Sequence, residues 1–478
     1  MWIMRNTYFG IVLALCTTSG LSAQQPKVSA SSSKSAPSGA DYRSLRFDET
    51  WPAASSGRWD DRLKHIQLAG DRPLTLTVGG QVRWREESFR AFNMGAQDDD
   101  HTQSRVLLSA DVRAGERRGW NARVFGEFRD AQSYGRNLPG GARPTDMDRG
   151  DVQNLFADVG HGASFVRVGR QEIALNRERL FGVPDWANTR RGSEGARAQL
   201  TVNRFAVDLI QARPLLVRQT LGNRADSTAQ FRVFAVGNAA GAKPFAKALP
   251  AVWQAYWYEQ RLSGATTRGT RHTTGGRVQW QFTDSRRGHV RSLEFEGARQ
   301  HGELSGRQLR AWFWVTEAQY QWKRQHGAPS VALGVETASG ERPGSGDALQ
   351  AFAVLYPAAH AHGGFADVIG RTNVRELHLI ATWAPVRSVD LRAAAYRFDR
   401  LRLDDGVYNK QNGLFRAAGG NRDRHAADEL DVTGTWKVSR HWRAIFGGAV
   451  VAPGPFLKRT AGSARTERWS FVGTAFTF

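Results

Sequence analysis

The chain has 478 residues, one cysteine, 50 glycines, 16 tryptophans and a formal net charge of +21. Modest apolar content with abundant glycine fits many half-exposed strands and tight turns better than one large dry core, and one cysteine excludes a disulfide framework. The charge suggests nucleic acid first, but the basic residues form no arms or blocks. They recur at strand spacing between apolar residues, which points to a basic lumen or surface and an anionic small molecule or polymer.

Arg5, an apolar run over 8–15 and Leu21-Ser22-Ala23 predict a cleaved signal peptide over 1–23. Cys16 lies inside it, so the mature chain is expected to be cysteine-free, and Leu15 before it argues against a lipoprotein. Residues 24–45 are rich in Ser, Lys and Ala and predict a disordered periplasmic leader. Residues 46–70 carry Trp51, Trp59 and Ile66 and are expected to pack at the periplasmic mouth of a barrel domain spanning 46–478. No later segment approaches the ~18 uninterrupted apolar residues of a transmembrane helix.

Strand patterning begins at Leu74. Leu76, Val78, Val82 and Trp84 share one parity; Thr75, Thr77, Gln81, Arg83 and Arg85 share the other. This apolar-out, polar-in dyad over about ten residues is the signature of a transmembrane β-strand. It returns at 104–114, where Val106, Leu108, Ala110 and Val112 oppose Arg105, Ser109, Asp111 and Arg113. At 121–130, Ala122, Val124 and Phe128 oppose Arg123, Glu127 and Arg129. At 271–282, Val278, Trp280 and Phe282 oppose Arg277, Gln279 and Gln281. The segments 311–322 and 429–438 repeat it, with Trp312 and Trp436 on the apolar parity. Less regular candidates lie at 152–159, 165–173, 195–202, 205–212, 230–236, 252–261, 293–302, 331–338, 374–384, 389–397 and 442–451. Within Val166-Arg167-Val168-Gly169-Arg170 either parity turns an arginine outward, which predicts a bulge or a strand end. The last stretch sets Val472, Thr474, Phe476 and Phe478 on one face and small residues on the other. An uncovered apolar last strand is an aggregation edge in water, but in lipid it closes a barrel against the first strand. Its terminal Phe resembles the C-terminal signal of bacterial outer-membrane barrels. The count is about 18 strands, even as in single-chain bacterial barrels.

Connections alternate in length. Residues 202–205 and 438–441 are tight turns, whereas 131–150, 175–194, 339–373 and 402–426 are long, Gly-rich and polar. Short periplasmic turns with long outer loops are the outer-membrane pattern.

Several motifs stand in order along these loops. Leu45-Arg-Phe-Asp-Glu49 leads to Leu63-Lys64 and Gly79-Gly-Gln-Val-Arg83, and Glu127-Phe-Arg-Asp130 follows. Val168-Gly-Arg-Gln-Glu172 leads to Arg179-Leu-Phe-Gly182, Asp185-Trp186 and Arg191. Ser339-Gly-Glu341, Phe352, Tyr356-Pro357, His360, Gly364, Asp367 and Asn373 precede Glu429-Leu-Asp431. From about Arg46 to Phe478 the chain resembles the alginate-export family of outer-membrane porins. The resemblance implies an 18-stranded monomeric barrel whose basic constriction passes an anionic polyuronate outward. Thr50, Asn176 and Ser193-Glu194 depart from the family pattern, Asn176 standing where a Gly is expected.

The candidate solute-contacting residues are Arg83, Arg85, Arg105, Arg123, Arg129 and Arg277 on the polar parity, with Arg179 and Arg191 in a long loop. Guanidinium forks match carboxylates, so a ring of them would select anions. The competing arrangement pairs them with Asp111, Glu127, Glu294, Glu296 and Glu317 in a stiff, nearly neutral wall. The loop carrying Arg179, Asp185, Trp186 and Arg191 either folds inward as a constriction or lies at the surface.

No nucleophile elbow, phosphate loop or His-Glu-x-x-His motif is present, so no enzyme, catalytic residue or cofactor is expected. His360 and His362 read as structural rather than metal-bound. Asp98-Asp99-Asp100 with Asn93 and Gln97 offers hard oxygens for a loop calcium ion, against the plainer reading of a solvated acidic loop. The sequence therefore predicts an all-β outer-membrane barrel, monomeric as the resemblance implies, inserted by the barrel-assembly machinery and binding no nucleic acid. It would pass an acidic polysaccharide such as alginate by passive diffusion. The alternatives are a small-anion or acidic-sugar porin, or a surface-display or receptor barrel without transport.

Overall fold

A computed structural model describes residues 42–51, 58–70, 73–116, 119–239, 251–342, 344, 346, 348–358, 360–460, 462 and 464–478. Eighteen antiparallel strands form a closed barrel. They are β1 (Leu74–Arg90), β2 (Asp99–Gly115), β3 (Trp120–Tyr134), β4 (Asp148–His161), β5 (Ser164–Gln171) and β6 (Ser193–Val202). There follow β7 (Phe205–Leu216), β8 (Ala229–Asn238), β9 (Val252–Ser263), β10 (Arg268–Asp284), β11 (His289–Leu304) and β12 (Arg307–Trp322). The last six are β13 (Ser330–Ala338), β14 (Val374–Val386), β15 (Val389–Arg400), β16 (His425–Lys437), β17 (Trp442–Pro453) and β18 (Glu467–Thr477). Each strand pairs with its sequence neighbour, and β1 pairs with β18 from Gln81↔Thr477 to Arg90↔Arg468. No helix among the described residues is long and apolar enough to cross a membrane.

The dyad pattern sets which side chains meet lipid. Trp84, Trp312 and Trp436 are 45%, 38% and 48% exposed on the outer wall, while Arg83, Arg85 and Arg105 point inward and are buried. Trp280 shares the outward parity with the exposed Phe282. The ambiguous segment at β5 resolves as a strand end. Val166 and Val168 face out, Arg167 faces in against Asp158 at 2.7 Å, and Arg170, the penultimate residue, pairs with Glu194 at 2.7 Å.

The seam is tight because Gly80 has no side chain. Its N–H donates to the Phe478 carbonyl at 2.9 Å, and the Phe478 N–H donates back at 3.0 Å. A Cβ on Gly80 would lie 2.7 Å from the Phe478 ring.

The signal segment and residues 24–41 lie outside the described residues. Tyr42–Leu45, grouped with the leader on composition, is instead packed. The Tyr42 hydroxyl lies 3.0 Å from His441 Nδ1, and Leu45 is buried. Beyond it the expectation for 46–70 holds for Trp59, which lies parallel to Phe476 at the short-turn end, but not for Phe47. That ring is inside the barrel, edge-on to Phe125 at 5.8 Å and Phe156 at 5.4 Å. Single docking side chains leave no period, so composition alone could not show this.

Phe476 and Phe478 stabilise the seam by about 2 kcal/mol each through their rings. The double substitution Phe476→Ser with Phe478→Ser is therefore expected to reduce sharply the heat-modifiable, folded species in outer-membrane fractions, measured by electrophoretic mobility with and without boiling. A wild-type amount of folded species would refute the role given to the seam.

Candidate functional site

The barrel interior is organised by the third outer loop, residues 172–192. It folds inward rather than lying at the surface, and arginines from the facing walls bind its backbone. Arg83 donates to the Asp185 carbonyl at 2.7 Å and to Asn188 Oδ1 at 3.1 Å. Arg85 donates to the Trp186 carbonyl at 2.8 Å, and its guanidinium lies 3.9 Å from the Trp186 ring centroid. Arg105 reaches Asp185 Oδ1 at 2.9 Å. These four hydrogen bonds from three arginines, two to backbone carbonyls and two to side-chain oxygens, fix a segment that has no ladder of its own.

From the opposite wall, Arg179 is held by Glu294 at 2.5 Å and Glu296 at 3.0 Å, and Arg177 by Glu294 at 3.0 Å and Glu317 at 3.2 Å. Burial alone would lower the Arg179 pKa, but these carboxylates raise it well above the ordinary arginine value. Asn176, in place of the glycine of the family pattern, has φ +56°. Asn tolerates the left-handed region better than most residues, and here its amide donates to the Tyr258 hydroxyl at 3.1 Å.

The seventh outer loop, within 339–373, docks on the third. Tyr356 N–H donates to the Leu180 carbonyl at 2.9 Å and Gly182 N–H to the Tyr356 carbonyl at 2.7 Å. Arg371 pairs with Glu336 and donates to the Arg179 carbonyl at 2.6 Å. His362 donates through Nε2 to the Arg177 carbonyl at 2.6 Å. Burial and the neighbouring Arg179, Arg371 and Arg177 push its pKa well below the ordinary value, which keeps it neutral for that role. Trp186 is boxed by Phe471 at 4.7 Å, Phe365 at 5.1 Å and Trp469 at 5.4 Å. In the second outer loop, burial raises the Asp146 pKa, but hydrogen bonds and charge from Arg143 and Arg136 prevail and hold it at about 2. Its backbone carbonyl accepts the Asn188 amide at 3.0 Å.

The remaining expected site residues fall as follows. Arg123 makes a two-pronged contact with Asp111 at 2.7 and 2.8 Å. Arg129 pairs with Asp148, and Arg277 with Glu294 at 2.6 Å. Arg191 donates to the carbonyls of Gly182 at 2.9 Å and Pro357 at 3.2 Å. The structure thus gathers Arg83, Arg85 and Arg105 on one flank of the third loop and Arg179 and Arg277 on the other. Arg123 stays lower on the wall beside the Phe47 cluster.

Among the described residues, buried or half-buried inward guanidiniums without a carboxylate in ion-pair range include Arg83, Arg191 and Arg271 within the lumen and Arg400 at the outer end of β15, which is held by backbone carbonyls. Arg191 and Arg271 flank one residue. The Arg191 guanidinium is 5.6 Å from the Tyr356 ring, and Arg271 donates to Gln260, whose amide donates to the Tyr356 hydroxyl at 3.1 Å. Burial lowers the Arg191 pKa to about 10, against Tyr356 and Glu178, so it stays charged at neutral pH. Burial likewise raises that of Tyr356. The candidate site is this pair of uncompensated charges at the junction of the two loops. Arg271 was legible as the same-parity neighbour of Arg277; Tyr356 stood out in a motif but without a role, and Gln260 did not stand out.

Asp98, Asp99 and Asp100 are each held by donors of the protein. Asp98 accepts from Ala91 N–H at 2.9 Å, Asp99 pairs with Arg136, and Asp100 takes Arg90 at 2.8 Å. Among the described residues no three His, Cys, Asp or Glu side chains gather to hold a metal.

A profile of the family described as "Alginate export" matches residues 74–471. The chain belongs to the alginate export family. Its fold is that of outer-membrane porins, which places this member of the family in the bacterial outer membrane as a porin-type channel. The family and fold are those of transport porins rather than enzymes. No curated protein sequence matches it. Among solved structures it is similar to Pseudomonas aeruginosa OccK8 (OprE), with a TM-score of 0.56, 10% identity, and 84% of this chain and 98% of that one covered. OccD3 (OpdP) of the same organism has a TM-score of 0.56 at 8% identity, covering 84% and 91%. Its outer membrane protein opdK has a TM-score of 0.56 at 10% identity, covering 84% and 98%. At such identities the likeness establishes the barrel architecture alone.

Two outcomes test the loop anchors. Arg179→Leu leaves Glu294 and Glu296 short of a buried partner and is expected to destabilise the third loop by about 3–5 kcal/mol. The readout is faster proteolysis of that loop with the barrel still folded. The Asp146 pKa lies below the ordinary carboxylate value of ~3.9. Its anchoring is therefore fully present above that value and lost as pH falls through about 2. Proteolysis of the second and third loops should then be flat from neutral pH to about 4 and rise below it.

Proposed function

We propose that this porin passes anionic solutes by passive diffusion, an acidic polysaccharide such as alginate first among them. The observation that carries the reading is the pair Arg191 and Arg271, charged and held by carbonyl and amide oxygens rather than carboxylates. A guanidinium already neutralised by a carboxylate attracts a second anion weakly. One whose partners are neutral retains its field, and the low dielectric of a loop-lined passage strengthens it. The phenol of Tyr356 between them supplies a flat face and a hydroxyl suited to a sugar ring. The family match supports the polyuronate over a simple anion. Most of the other lumen arginines act as structural cross-links, and their pairing with acids leaves selectivity to the few that are not paired.

In a chloride gradient across a planar bilayer, the reversal potential of the wild-type channel is expected on the anion-selective side, moving toward zero as salt rises. Arg191→Glu with Arg271→Glu should move it toward cations, and polyuronate should block wild-type current more than a neutral glucan does. A wild-type channel preferring potassium to chloride would overturn anion passage. Anion preference without polyuronate block would instead support the small-anion porin.

A further inference from the structure

The outward face of the wall carries a row of charged and imidazole side chains at the outer edge of its apolar band. In the β8–β12 sector, Arg232 pairs with Glu259, Glu259 with His272, His272 with His301, and His301 with Arg310. These five residues form one rung across five strands. All face outward, because their neighbours Phe231, Tyr258, Thr273, Gln300 and Leu309 are buried inside.

The rung deeper in the wall is Phe234, Trp257, Thr274, Arg299 and Trp312 by the same register. Trp312 and Trp322 stand ten residues apart on β12, the length of a tilted strand across the hydrocarbon, about 9–11 residues. Trp312 therefore marks the outer edge of the apolar slab, and the charged rung lies in the headgroup layer just beyond it. Arg261, on the next rung out, pairs with Glu259 at 2.7 Å.

The charges are organised rather than scattered. Glu259 is buried beneath Arg261, Arg232 at 3.5 Å and His272 at 3.8 Å, and so fixes that cluster. His272 and His301 stack at 5.1 Å. Arg299 and Arg310 are exposed and have no ion pair among the described residues. Four arginines, Arg232, Arg261, Arg299 and Arg310, face two carboxylates, Glu259 and Glu303. Uncompensated guanidiniums at the edge of hydrocarbon are costly in apolar lipid and favourable against phosphate.

We propose that this face binds a phosphate-bearing glycolipid of the outer leaflet. Its phosphates meet Arg299 and Arg310, its sugar lies over the His272–His301 stack, and its acyl chains run down past Phe234, Trp257 and Trp312. The site lies outside the pore and stands apart from any reading of what the pore carries.

The test uses the purified full-length barrel in detergent, titrated with diphosphoryl lipid A and followed by native mass spectrometry. Saturable binding is expected. Arg299→Ser with Arg310→Ser should weaken it about tenfold or more, from the loss of two charge-assisted contacts. Arg299→Lys with Arg310→Lys should stay close to wild type, and fully dephosphorylated lipid A should bind like the serine variant. Heat-modifiable mobility reports folding; if the serine pair fails to fold, Arg310→Ser alone takes its place. Equal binding by the serine variant, or by dephosphorylated lipid, would overturn the proposal. So would displacement of the lipid by an equal concentration of inorganic phosphate.

Discussion

Inside a bilayer a strand cannot leave its N–H and C=O groups to water, so the whole molecule depends on the sheet closing on itself. The β1–β18 seam does this, and the reciprocal bonds between Gly80 and Phe478 are its last rungs. Closure has two products. Outside, alternate residues form an apolar wall. Inside, the other half of every strand, mostly polar and charged, is confined in a space too narrow for each side chain to keep its own water.

That confinement explains the interior. An arginine taken out of water needs a carboxylate, or several carbonyls, or it destabilises the fold. The third loop supplies carbonyls to Arg83 and Arg85, and Glu294 and Glu296 supply carboxylates to Arg179. The loop is in turn held because those arginines need it. Most of the cationic side chains within the barrel are used up in this mutual satisfaction. The chain's large positive charge is expressed elsewhere, on the few lumen residues without acids and on the rims and outer wall.

The barrel was legible because parity is a local property. Trp84 beside Arg83 and Arg85, or Leu430 beside Glu429 and Asp431, declares both faces within three residues. The parity conflict at Val166–Arg170, which left a bulge or a strand end open, runs to the end of β5. The interior was less legible, because its contacts join distant segments. Phe181 meets Tyr356, and Trp186 meets Trp469 and Phe471, with nothing local to connect them. A signal was present in the apolar residues on the polar parity: Phe125, Phe156, Phe313, Trp469 and Phe471 all face inward and are buried. An aromatic on the wrong face of a barrel strand marks where a loop or segment docks. The choice between selective and structural arginines turned on partners that spacing alone does not reveal.

The segment around Phe47 has a consequence for how the molecule comes together. It arrives from the short-turn end, yet its ring rests on Phe125 of β3 and Phe156 of β4, under the guanidinium of Arg167 from β5. The Ser44 carbonyl accepts from Arg190, which hangs from the third loop entering at the other end. Its cradle does not exist until three consecutive strands have zipped and that loop has turned inward. Although it precedes every barrel strand in the chain, this stretch can take its place only after three of them, and its docking requires that the neighbouring wall be complete.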